Sequence, residues 1–134
     1  IFNKNYKCLS NLKSVVVIGS LYASFARSKR TSYTISKHGL LGLVKSLAIE
    51  LSPECNVNMI SPGFINTKLT QKNNSKSKLK KISSMIPQKK LGEPEDIANA
   101  VVFLTKKESQ YVNGINLVID GGFSCGGFQG YIDE

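Results

Sequence analysis

Tyr33 and Lys37 stand four residues apart in "TSYTISKHG", and Ser20 closes the run "VVVIGS" thirteen residues before the tyrosine. On a helix, residues i and i+4 share a face, with about 6 Å of rise between them. A phenol and an ammonium would then point the same way. Free tyrosine ionises at a pKa of about 10, too high for a good base at neutral pH. A neighbouring ammonium favours the phenolate, and a helix N-terminus acts in the same direction. The pair is therefore a candidate proton donor and acceptor. By itself the spacing is common, and surface packing accounts for most tyrosines four before a lysine.

The chemistry depends on the elements that carry these groups. "SVVVI", Ser14 to Ile18, is a continuous β-branched run, expected as a strand buried on both faces of a parallel sheet. Ser20 then falls at the carboxyl edge, where open α/β sheets place their ligand crevice. A helix is expected over 32–51, where Leu40, Leu43, Val44, Leu47, Ala48 and Leu51 recur at three-to-four spacing before Pro53. "NVNMI", Asn56 to Ile60, reads as a second strand stopped by Pro62 and Gly63. "SPGFINT" follows at the same edge. Its Gly63 allows backbone to approach a ligand, and Thr67 offers a hydroxyl that could equally cap a helix.

Further along, "GEPEDIANAVVFLT" carries helix-start signals. Pro94 suits the first turn, Glu93, Glu95 and Asp96 suit the positive end of the dipole, and Ile97, Ala98, Val101, Val102 and Leu104 form an apolar face. "INLVI", Ile115 to Ile119, is a last strand before "DGG", and positions 123–134 read as a loose tail. Strands alternating with helices imply an α/β domain with a parallel sheet of about three strands. So thin a sheet leaves its first strand with an unpaired apolar edge, from which further strands before Ile1 are expected.

Composition narrows the classes. The 134 residues are 41% hydrophobic, ordinary for a globular domain, and runs such as "VVVI" are too short to cross a bilayer. Cys8, Cys55 and Cys125 are widely spread without CxxC or Cys/His clustering, so free thiols in a reducing, cytoplasmic setting are expected and no metal site. The net charge of +9 is concentrated: Lys68 to Lys90 holds eight lysines and no acid. That stretch lacks the aromatics and arginines that base stacking and guanine readout favour, so nucleic acid is not the expected partner. It reads as a solvated loop with a short helix, or as an electrostatic patch for an anionic substrate or carrier.

Taken together, "VVVIGS", "YTISK", "SPGFINT", "LGEPEDIANAVVFL" and "VNGINLVIDGG", in that order and spacing, resemble the short-chain dehydrogenases/reductases, nearest in wording to the 3-oxoacyl-[acyl-carrier-protein] reductase-like branch. The resemblance implies the C-terminal portion of a Rossmann-type doubly wound sheet whose N-terminal nucleotide-binding half is missing, so that residues 1–134 form a single partial domain. It implies an NAD- or NADP-dependent enzyme moving hydride between nicotinamide and a carbonyl or alcohol substrate. Tyr33 would pass the proton, Lys37 would assist it and hold the nicotinamide ribose, and Ser20 would hold the substrate carbonyl. Pro62, Gly63, Ile65 and Thr67 would border the cofactor, and residues 68–90 would cover the substrate as a lid. A homodimer or homotetramer without membrane partners is also implied.

The family's TGxxxGxG turn, NNAG stretch and helix-borne asparagine are absent from this sequence, and the pyrophosphate of a cofactor has no cradle in it. The fragment alone is therefore expected to be inactive. Asn11 and Glu54 stand where carrier-protein-dependent relatives have basic residues. Two other readings remain open: a truncated relic or pseudoenzyme serving as an interaction module, and a basic nucleic-acid-binding protein.

Overall fold

The computed structural model describes residues 12–126; the expectations resting on Cys8, Asn11 and positions 127–134 lie outside the described residues. Within that span the chain runs β1 (Ser14–Ile18), α1 (Thr31–Glu50), β2 (Asn56–Pro62), α2 (Lys68–Lys72), α3 (Lys76–Met85), α4 (Pro94–Thr105) and β3 (Asn116–Ile119). The three strands form one sheet in the order β1-β2-β3, parallel throughout. Ser14 pairs with Asn56 and Ile18 with Ile60, while Met59 pairs with Asn116 and Pro62 with Ile119. Every strand therefore ends at the same edge, which gathers Ser20, Gly63 and Asp120 there.

Helices lie on both faces of the sheet, as in doubly wound α/β folds. Val15 and Val17 of β1 pack with Val57 and Met59 of β2 against Val44 and Ala48 of α1. Side chains alternate along a strand, so Ser14 faces the other way. Its hydroxyl donates to the Leu104 carbonyl of α4 at 3.1 Å. β2, paired on both sides, is almost wholly buried. β1 pairs only with β2 among the described residues and is half-buried, with Ile18 47% exposed. Helices cover both faces of β1, and its partial exposure comes from the flank left open at the edge of the described sheet.

The helix patterns were read correctly in place and less so in face. Leu40, Leu47 and Leu51 pack on the α1 core, whereas Leu43 is turned outward. In α4, Pro94 opens the helix and Glu93 and Asp96 close a reciprocal capping box. Ile97, Val101 and Leu104 turn inward, but Ala98 and Val102 lie on the exposed side. The lysine-rich stretch contains two helices rather than a loop with one. Thr67 and Ser75 each accept a hydrogen bond from a first-turn backbone N–H to start them.

A clasp of asparagines delivers β3 to the sheet. Asn58 of β2 is fully buried; its Nδ2 donates to the Val112 carbonyl at 2.8 Å and its Oδ1 accepts from Ile115 N–H at 3.1 Å. Asn113 answers from the loop, accepting from Val57 N–H and donating to the Ala48 carbonyl of α1. Among the described residues no helix is long and apolar enough to cross a membrane.

Candidate active site

Ser20 follows the end of β1 and starts a short turn of 3₁₀ helix over Leu21–Ala23, its Oγ accepting from Tyr22 N–H at 3.3 Å. Tyr33 and Lys37 lie in the first turns of α1, a turn apart as the spacing required. The Lys37 ammonium stands over the Tyr33 ring, 5.6 Å from its centroid, a cation–π contact that fixes the two groups relative to one another. Tyr33 is itself exposed, and its ring meets Tyr22 edge-to-face at 5.4 Å between centroids.

A hollow of about 500 Å³ opens at the carboxyl edge of the sheet. Ser20, Pro62 and Gly63 line it together with Leu21, Tyr22, Phe25, Phe64 and Phe123, and α3 closes it with Lys78, Lys81, Ile82 and Met85. Three of the residues singled out from sequence thus share one cavity. Tyr33 and Lys37 do not form its wall. Tyr22 links them to it, since one face of that residue lines the hollow and its ring touches Tyr33.

The remaining two candidates sit on the segment leaving β2. Ile65 forms a parallel bridge with Gly92: Gly92 N–H donates to the Phe64 carbonyl at 3.0 Å and Asn66 N–H donates to the Gly92 carbonyl at 2.7 Å. Peptide groups alternate along an extended chain, so the N–H and C=O of Ile65 itself point away from Gly92. Thr67 Oγ1 is occupied as the α2 cap, accepting from Thr70 N–H at 3.1 Å. Gly63 has a packing reason to be glycine. A Cβ there would lie 2.7 Å from the Asp120 Cβ and 2.8 Å from its Cα, so the ends of β2 and β3 touch through the missing side chain.

Sequence reasoning offered the lysine-rich stretch as a cover and missed the aromatic wall. Tyr22 and Phe25, three apart in "LYASFA", meet with their rings tilted at 44° and 5.6 Å between centroids. Phe123, read as part of a loose tail, is 4% exposed and meets Phe64 edge-to-face at 5.2 Å. An aromatic just beyond the "DGG" turn was the available signal. His38 is exposed, its Nδ1 3.0 Å from the Thr34 carbonyl, in line with an ordinary helix residue. Among the described residues no group of three or more histidines, cysteines or carboxylates is placed to hold a metal ion.

This parallel sheet, with a crevice at its carboxyl edge beside a tyrosine–lysine helix, has known counterparts. A family model described as enoyl-(acyl carrier protein) reductase matches residues 3–124. The chain belongs to the short-chain dehydrogenase/reductase family. It is 42% identical over 109 residues to the 3-oxoacyl-[acyl-carrier-protein] reductase FabG of Buchnera aphidicola subsp. Schizaphis graminum, covering 81% of this chain and 44% of the relative. Among solved structures it resembles 4-hydroxyisoleucine dehydrogenase complexed with NADH, with a TM-score of 0.81, 36% identity, and coverage of 89% of this chain and 50% of the other. A protein of Agrobacterium tumefaciens provisionally described as 2-deoxy-d-gluconate 3-dehydrogenase, with bound NADP, is similar at a TM-score of 0.82 and 38% identity, covering 91% of this chain and 50% of the other. The chain spans about half the length of the relatives it matches.

Proposed function

We propose that the full protein carrying this sequence is an NAD- or NADP-dependent oxidoreductase that interconverts a carbonyl compound and its alcohol, with Tyr33 as proton donor and acceptor. The observation that carries this reading is the Tyr33–Lys37 contact at the start of α1, in a chain of this family. The relatives solved with NADH and with NADP support either form of the cofactor.

The residues present suit the nicotinamide end of such a cofactor. Pro62 and Gly63 line the hollow, and the outward-facing peptide of Ile65 can meet an amide group from that side. Thr67 Oγ1 accepts the α2 cap bond and lies 3.0 Å from Thr70 Oγ1; with Thr70 donating in that pair, the Thr67 hydrogen is left for the cofactor. When bound, the nicotinamide supplies the hydride or accepts it. Ser20 Oγ accepts only a long bond from Tyr22 N–H, which leaves its own hydrogen to donate to a substrate oxygen. Tyr33 gives or takes the proton at that oxygen, and Lys37 holds the phenol in place from its ring face. Residues 68–90 form the lid that excludes water, with α3 the part of it that lines the hollow. The outer side of α1, where Ile35, Leu43 and Ile49 are exposed, is the surface on which a second copy packs in a dimer or tetramer.

The test is kinetic. In the full natural chain Tyr33→Phe should lower kcat by about 10²- to 10⁴-fold while cofactor binding persists. Lys37→Met should impair both. Near-normal turnover by Tyr33→Phe would refute the assignment.

A further inference from the structure

The hollow beside Ser20 has two chemically different parts. Its body is apolar, with Leu21 and Phe123 nearly fully buried and Phe64, Ile82 and Met85 packed around them. Its rim carries three exposed cations, Arg27, Lys78 and Lys81, and among the described residues no carboxylate lines it. The cations come from separate segments: Arg27 follows the Ser20 turn, while the two lysines belong to α3.

On α3, positions 78, 81, 82 and 85 share one helix face, so a single face presents both the ammonium groups and the apolar wall. The lysine stems can lie along that wall with their heads in water. Of the eight lysines between Lys68 and Lys90, these two line the hollow. A merely solvated charged surface has no reason to draw cations from two segments around one apolar hole. The volume, about 500 Å³, falls within the roughly 300–1,000 Å³ of small-molecule sites.

We propose that the substrate is an amphipathic carbonyl or alcohol compound, with an apolar body seated among Phe64, Ile82 and Phe123 and an anionic group held at the rim by Arg27, Lys78 and Lys81. The proposal rests on the oxidoreductase reading of the site and narrows its substrate class. A carboxylate and a phosphate ester share the required chemistry, and the probes below distinguish them.

The full natural chain, with NADH or NADPH present, is titrated calorimetrically with decanoate, decyl phosphate and 1-decanol, which match in length and differ in charge. The anions should bind about tenfold more tightly than the alcohol at low salt, the scale set by a few partly exposed ion pairs. Whichever anion binds more tightly identifies the headgroup, and either order supports the proposal. Adding salt to about 0.5 M should erode the anion preference and spare decanol. Arg27→Ala combined with Lys78→Gln should reduce the preference to about twofold, while Ile82→Asn weakens all three ligands alike. Equal binding of decanol and decanoate, or a preference that survives the double substitution, overturns the proposal. With the reduced cofactor bound, none of the three ligands carries a carbonyl that hydride can reduce, so the ratios stand or fall separately from the Tyr33→Phe result.

Discussion

Replacing Asn58 with alanine strikes the point where β2 receives the loop that leads into β3. The side chain is fully buried and both ends of its amide are used, one on the Val112 carbonyl and one on Ile115 N–H. Truncation strands two partly buried backbone groups at once. Each costs about 1–3 kcal/mol when left unpaired, so the expected loss is roughly 2–5 kcal/mol. That is a large share of the ~5–15 kcal/mol by which ordinary domains are stable. Urea unfolding of the full natural chain should therefore show a midpoint lower by about 1–2 M at a slope of ~2–3 kcal/mol/M. Asn56→Ala is the control, because its exposed amide makes one bond, to the Gln110 carbonyl at 2.8 Å. It should cost about 1 kcal/mol or less. Asn58→Asp keeps the acceptor for Ile115 and loses the donor for Val112. Its defect should ease as pH falls and the carboxyl regains a proton to donate. The reasoning is refuted if Asn58→Ala costs no more than Asn56→Ala.

Two other substitutions probe the surroundings. Gly63→Ala drives a methyl into the Asp120 backbone, whereas Gly19→Ala meets the Met59 sulfur at 2.8 Å, part of a side chain that can shift. Denaturation midpoints should show the larger loss for Gly63→Ala, about 1–3 kcal/mol, and equal losses would count against the packing account. Burial pushes the Cys55 thiol above its ordinary pKa, opposed more weakly by the Lys13 charge. A raised folded-state value means that its contribution is fully present below the unfolded-state pKa, about 8.5, and is lost as pH rises through the folded value. Stability measured from about pH 8 to 10 should fall less in Cys55→Ala than in the parent, and exposed Cys125 should be alkylated before Cys55.

The sheet and helix α1 could be read from the chain because their signals are local. β-Branched runs marked the strands, and apolar spacing with Pro53 beyond it marked α1. Facing was harder, since a leucine such as Leu43 has the same propensity whether it turns to the core or to solvent. In the lysine-rich stretch, charge masked a sparse inward row: Leu79, Ile82 and Ile86 recur at three and four residues. The hollow was least legible, because it is assembled from Tyr22, Phe64, Ile82 and Phe123, residues distant in sequence that only the closed fold brings together.

Ile86, just past α3, is 2% exposed and would touch any Cβ placed on Gly121, while Gln88 N–H reaches the Gly121 carbonyl at 3.3 Å. No residue within α3 itself is fully buried. The cover is thus riveted at its exit to the turn after β3 and rests lightly over its outer turns. Such a piece can exchange its surface side chains freely, changing the charge around the hollow. Ser20, beyond the end of β1, and Tyr33 and Lys37, both on α1, belong to other elements and keep their places when that cover changes.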